Sequence, residues 1–148
     1  MAKIRLTKEF TFEMAHVLEG YDGPCKNIHG HSYRLEVTVI GTPIADKTNP
    51  KCGMVMDFGQ LKGIVKREVL DRFDHVLLVC EDSPLFALKD KIPLGKLLPV
   101  DFQPTCENLL VYIAKLISAQ LPKEVSLHHL KLHETATSYA EWFASDNQ

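Results

Sequence analysis

The sequence predicts one α+β domain of order β-β-α-α-β-β, with two helices on one face of a four-stranded antiparallel sheet. Three observations predict it. Apolar and polar residues alternate in two stretches near the start of the chain, apolar residues recur at helical spacing in two stretches of the middle, and alternation returns in two stretches near the end. A chain of 148 residues fits a single domain, residues 1–148, and can bury roughly 70% of the surface its unfolded form exposes.

The first strand is predicted over residues 3–16. Ile4, Leu6, Phe10, Phe12 and Met14 hold one parity, and Arg5, Thr7, Glu9, Thr11 and Glu13 the other. Lys8 interrupts the apolar row and marks a bulge or an exposed end. Gly20, Asp22, Gly23, Pro24 and Asn27 make residues 17–28 a loop. The second strand, 29–41, sets Tyr33, Leu35, Val37 and Val39 against Arg34, Glu36 and Thr38, and a polar, turn-rich segment follows to Gly53.

Phe58, Leu61, Ile64, Val65, Val69 and Phe73 predict a helix over 58–73. Residues 74–80, Asp-His-Val-Leu-Leu-Val-Cys, change the pattern sharply. Residues 81–104, with prolines at 84, 93, 99 and 104, read as irregular. A second helix is expected from about 106 to 121, N-capped by Thr105, faced by Leu109, Ile113, Leu116 and Ile117, and stopped by Pro122. The last two strands are expected over 126–134 and 138–144.

Composition narrows the function classes. The chain is 45% apolar and 24% charged, with a formal charge of −2, which gives no basic signal for nucleic acid. No apolar run approaches the about 20 residues of a membrane span, and the N-terminus lacks a signal-peptide core. Cysteines at 25, 52, 80 and 106 form no CxxC pair, so they read as thiols of a cytoplasmic protein.

Parity brings three histidines together. His16 shares the parity of Phe10, Phe12 and Met14; His29 and His31 share that of Tyr33, Leu35 and Val37. Side chains two apart on a strand point the same way. Antiparallel pairing of the two strands therefore gathers all three imidazoles on the core face beside the loop. Three histidines without a fourth protein ligand is the pattern of a catalytic zinc site; the other reading is hydrogen-bonded histidines at the rim of the core.

Cys25, on the same loop, has three readings: a small inert apolar residue, a thiolate base or nucleophile beside a dication, or a further ligand. Asp74 and His75 are either polar residues ending a helix or a carboxylate-oriented acid–base pair. Glu134 has the parity of Leu130 and Leu132, so its carboxylate needs a partner, either a structural ion pair or a ligand offering two adjacent donors. His129 and His133 have the opposite parity and read as surface residues. His128 shares the apolar parity with no matching partner.

The segments F-T-F-E-M-A-H, C-K-N-I-H-G-H-S-Y, G-M-V-M-D-F-G-Q-L-K, F-D-H-V-L-L, P-T-C-E-N-L and K-L-H-E-T, in that order, resemble the 6-pyruvoyl-tetrahydropterin synthase family. A cysteine four residues before H-G-H resembles its 6-carboxy-tetrahydropterin synthase branch more than its pyruvoyl-forming one. The resemblance implies the tunnelling fold, in which subunits of a homo-oligomer, a hexamer or tetramer, join their sheets into a barrel with sites between them. It implies zinc on His16, His29 and His31, catalysis by Cys25, Asp74 and His75, a pterin ring anchored through its 2-amino and N3 edge by Glu134, and a pocket lined by Thr105, Cys106 and Glu107. The substrate implied is 7,8-dihydroneopterin triphosphate. A pyruvoyl-forming enzyme and a non-catalytic zinc- or pterin-binding module are the alternatives on this fold. Residues 81–104 are longer than the family's usual link between its D-H and P-T-x-E-N segments.

Overall fold

A computed structural model describes residues 1–148. Two long strands form its centre, β1 (Ile4–His16) and β2 (His29–Gly41). They pair antiparallel without interruption from Ile4 opposite Gly41 to His16 opposite His29. Lys8 stands in register opposite Val37, so it marks no bulge. Its long side chain lies half-buried on the apolar face, where its methylene stem covers carbon and its ammonium reaches water.

The predicted first helix runs as one helical body: α1 (Phe58–Val65), a π turn (Lys66–Leu70) and α2 (Asp71–Phe73). The Asp57 carboxylate caps its start by accepting the Gly59 N–H at 2.7 Å. Leu61, Ile64, Val65, Val69 and Phe73 are buried, whereas Phe58, in the first turn, is exposed. The segment after it is a strand, β3 (Val76–Cys80), parallel to β1. Its unbroken apolar run suits a parallel strand with neighbours on both sides.

Residues 81–104 are more regular than their prolines suggest. A single helical turn, α3 (Pro84–Ala87), is capped by the buried Ser83, and β4 (Leu97–Val100) pairs parallel with β3. Pro99 sits within β4 because β4 is an edge strand, where a missing N–H costs no ladder bond. Next come α4 (Cys106–Ser118), whose Thr105 cap accepts the Asn108 N–H at 3.2 Å, then β5 (Ser126–His133) and β6 (Tyr139–Phe143). The four expected strands are therefore antiparallel neighbours, and β3 and β4 extend them to a six-stranded mixed sheet of order β4-β3-β1-β2-β5-β6. This is an α+β tunnelling fold.

One core joins the sheet to the two helical segments. Phe10, Phe12, Tyr33, Leu35, Val37, Leu130 and Leu132 meet Leu61, Val69, Phe73, Leu109, Ile113 and Ile117. The β2–β5 ladder slips by one residue at Thr38/Val39, so that Thr38 faces His129 and Val39 faces Leu127. His128 is the extra residue of that bulge, which explains an apolar parity with no core partner. The surface reading of His129 and His133 is corrected. His133 is buried, with Arg34 Nη2 donating to its Nε2 at 3.0 Å and Tyr139 packed on its ring. His129 stacks on Phe143 with ring centroids 4.1 Å apart. Aromatic residues of β6 cover the second face of the sheet there, so polar parity does not mean water. No helix is long and apolar enough to cross a membrane.

Leu35 is wholly buried in β2, between β1 and β5. Leu35→Ala is expected to lower unfolding stability by about 2–5 kcal/mol, read as a lower denaturant midpoint at unchanged slope. An unchanged midpoint would contradict this account of the core.

Candidate functional site

The end of the β1–β2 ladder sets the geometry. His16 stands opposite His29, and His31 lies two residues further along the same face of β2. His16 is buried and the other two are half-buried. One ring nitrogen from each lies within 4.8 Å of the others, and the three ring centroids are 4.5, 4.8 and 5.1 Å apart.

Backbone carbonyls orient two of the rings. His16 Nδ1 lies 2.7 Å from the Pro104 carbonyl and His29 Nδ1 lies 2.7 Å from the Asn27 carbonyl. A carbonyl oxygen only accepts, so each Nδ1 carries the proton and each Nε2 presents a lone pair. Those two Nε2 atoms are 2.9 Å apart, and His31 Nε2 is buried with no hydrogen-bond partner. Two facing lone pairs repel, and a buried unpaired ring nitrogen costs about 1–3 kcal/mol. A cation held by all three nitrogens relieves both, so the donor set fits a metal ion whose ligands are oriented through their far nitrogens. Burial pushes His16 below the ordinary 6.5, against the opposing pull of the Pro104 bond and the Glu134 charge, and burial does the same to His31. Both are thereby held neutral, the form that can ligate.

Glu134 follows β5 and is fixed by its backbone N–H, which donates to the Ser138 carbonyl at 3.0 Å. Its Oε1 lies 3.6 Å from His16 Nε2 and 3.7 Å from His31 Nε2. It also lines a cavity of about 350 Å³ together with Cys25, Tyr21, Thr105, Cys106 and Glu107. Cys25 is half-buried on a short 3-10 turn, Pro24–Lys26, and its carbonyl accepts the Leu18 N–H at 3.0 Å. Burial, with the Glu134 and Glu107 charges, pushes the Cys106 thiol up to about 12, and its Sγ lies 3.5 Å from the Leu132 carbonyl. Cys106 is therefore a neutral wall of the cavity at neutral pH.

The segment 81–104 braces this loop. Ser83 Oγ donates to Glu19 Oε1 at 2.6 Å, and Gln103 Nε2 donates to the Glu19 carbonyl at 2.7 Å. Pro104 in turn orients His16. None of these partners was singled out by pattern.

Asp74 and His75 pair side by side, His75 Nδ1 lying 3.0 Å from Asp74 Oδ1. They are clamped to β1 through Glu13, whose N–H donates to Asp74 Oδ1 at 2.9 Å and whose carbonyl accepts the His75 N–H at 2.6 Å. The Glu13 N–H is the main reason the Asp74 carboxyl sits below its ordinary 3.8. His75 has φ of +63°, uncommon for a residue with a side chain. Its side chain is three-quarters exposed and lines a second cavity with Glu13, Gly30, His31, Ser32 and Lys96. Within one chain, the pair does not enter the Cys25 cavity.

Sequence reasoning counted Tyr33 only among the apolar residues. Its ring stacks on Phe12 at 5.0 Å, but its hydroxyl is buried without a partner. Burial, with the Glu134, Cys106 and Cys25 charges, pushes it well above the ordinary tyrosine range. A tyrosine in a wholly apolar row was the available signal, because its hydroxyl must go somewhere.

A model of the family described as 6-pyruvoyl tetrahydropterin synthase matches residues 5–145. The chain belongs to this family. A 6-carboxy-5,6,7,8-tetrahydropterin synthase of Haemophilus influenzae is 36% identical over 142 residues, covering 93% of this chain and 97% of the relative. A 6-pyruvoyl tetrahydrobiopterin synthase of Drosophila melanogaster is 34% identical, covering 88% of this chain and 73% of the relative. Among solved structures, an uncharacterized protein from Wolinella succinogenes superposes with a TM-score of 0.80 at 20% identity, covering 97% of this chain and 99% of that one. This last likeness bears on the fold alone.

His31→Ala is expected to abolish metal retention after dialysis, measured as metal per chain by mass spectrometry. Full retention would break the three-histidine set.

Proposed function

We propose that this chain is a zinc-dependent lyase that converts 7,8-dihydroneopterin triphosphate and one water to 6-carboxy-5,6,7,8-tetrahydropterin, with release of acetaldehyde and triphosphate, in the supply of a queuosine precursor. One observation carries the reading: Cys25 and Glu134 line one cavity, and Glu134 also reaches the imidazoles of His16 and His31. The name borne by the Haemophilus relative and the placement of Cys25 four residues before His29 support the carboxy branch.

The ring of the substrate binds with its 2-amino and N3 edge donating to the Glu134 carboxylate, and Thr105, Cys106 and Glu107 line the pocket around it. This fixed seat turns binding energy into orientation of the side chain. Zinc, when bound by His16, His29 and His31, stabilises negative charge on the side-chain oxygens. Cys25, as thiolate, removes a proton from the substrate side chain. Cys106 is unsuited to that task, since its thiol keeps its proton at neutral pH. His75 relays protons, held by an Asp74 carboxylate that the Glu13 N–H keeps ionised.

His75 opens beside His31 but does not line the Cys25 cavity of its own chain, which favours a homo-oligomer, a hexamer or tetramer, in which Asp74 and His75 of one subunit complete the Cys25 cavity of another. We take the enzyme to act in the cytoplasm, where its four free cysteines remain thiols.

The Drosophila relative favours a second reading, a pyruvoyl-forming synthase. Mass spectrometry of the products formed from 7,8-dihydroneopterin triphosphate, with acetaldehyde assayed in parallel, separates the two. A 6-carboxy pterin with acetaldehyde is expected. A 6-pyruvoyl product without acetaldehyde would move the chain to the other branch, and no product would leave a binding module. Cys25→Ala is expected to keep metal and pterin binding while lowering kcat by on the order of 10²–10⁴-fold; undiminished turnover would remove Cys25 from the chemistry.

A further inference from the structure

Glu134 has two claims on one carboxylate. A single four-coordinate ion with bonds of about 2.0–2.1 Å to nitrogen or oxygen holds its ligand atoms roughly 3.3–3.5 Å apart. Glu134 Oε1 stands at 3.6 and 3.7 Å from the Nε2 atoms of His16 and His31, close to the spacing of neighbours on one ion. That oxygen stands beside two ring nitrogens of a cluster whose three ligand atoms lie within 4.8 Å of one another, and a carboxylate facing imidazole lone pairs is repulsive without a cation. The half-buried carboxylate accepts no hydrogen bond from the rest of the chain, and its backbone is pinned through Ser138. Nothing in the protein therefore competes with the ion for it.

The same carboxylate lines the cavity in which the ring would sit. Holding two adjacent ring donors engages both of its oxygens, so the ring edge competes with the ion for the oxygen that stands beside His16 and His31. We propose that Glu134 is the fourth ligand of the metal while the cavity is empty, and that the pterin ring draws it away. The inference rests on the ring-anchoring role given to Glu134 above and adds an exchange to it. Ring recognition then opens the fourth position as the substrate's own side-chain oxygens arrive beside it. The metal in turn opposes binding of a ring that brings no side-chain oxygen, because linkage between two sites is reciprocal.

Cobalt(II) can replace zinc as a reporter, since its visible ligand-field bands follow the ligand set without any turnover. Spectra of cobalt-loaded wild type, Glu134→Ala and Glu134→Gln would be recorded with and without a pterin that lacks a C6 side chain. The ring's own fluorescence reports its binding. The proposal expects both variants to shift the bands of the empty protein, and the ring to move the wild-type bands away from their starting position. Glu134→Gln keeps the shape of the side chain, so a shift there does not depend on an altered fold. Coincident spectra of wild type and both variants would overturn the exchange, as would a ring that binds wild type without moving the bands. Either result would leave the anchoring role standing. A ring that fails to bind even the metal-free wild type would remove the anchoring role, and the exchange with it.

Discussion

The site depends on the register of one strand pair. β1 and β2 align over their whole length, with Phe12 opposite Tyr33 and His16 opposite His29. A slip of one residue would send every side chain of a strand to the other face. Phe10, Phe12 and Met14 on one strand and Tyr33, Leu35, Val37 and Val39 on the other are all buried, and exposing that set is the cost of such a slip. The hydrophobic core thereby positions three imidazoles that could not choose this arrangement for themselves. The single irregularity of the neighbouring ladder, at Thr38/Val39, lies several residues from the histidines and leaves their end of the sheet regular.

Around that ladder, structural costs gather where chemistry is proposed. Two imidazole nitrogens face one another, a third is unpaired, a tyrosine hydroxyl is buried alone, and His75 holds a left-handed backbone. Such features persist only where the surroundings over-determine them. Here the surroundings are identifiable. Pro104 and Asn27 carbonyls hold two rings, Glu13 clamps the Asp74–His75 pair, and Ser83 and Gln103 hold the cysteine loop through Glu19. Residues 81–104 act as a brace, tying the loop of Cys25 and the ring of His16 to the edge of the sheet.

The sequence carried the parts of this design that follow from periodicity. The parity of His16 with Met14, and of His29 and His31 with Tyr33, was enough to bring the cluster together, because strand alternation is strict and the hairpin regular. The helix over 58–73 and the Thr105 cap were legible for the same local reasons. β3 and β4 were not, since a five-residue apolar run has no period and a proline usually argues against a strand. His133 was misjudged because parity tells which face a residue takes, not what covers that face. The separation of Asp74–His75 from the Cys25 cavity was also hidden, because adjacency along a sheet says little about which side of its end opens to which pocket.

The central claim is that the β1–β2 register builds a metal site from three imidazoles and leaves Cys25 off the metal. X-ray absorption of the zinc-loaded protein tests it most directly. The account predicts three imidazole nitrogens at about 2.0–2.1 Å and no sulfur shell. A sulfur contribution at about 2.3 Å would make Cys25 a ligand instead of a base, and fewer than three imidazoles would contradict the register argument itself.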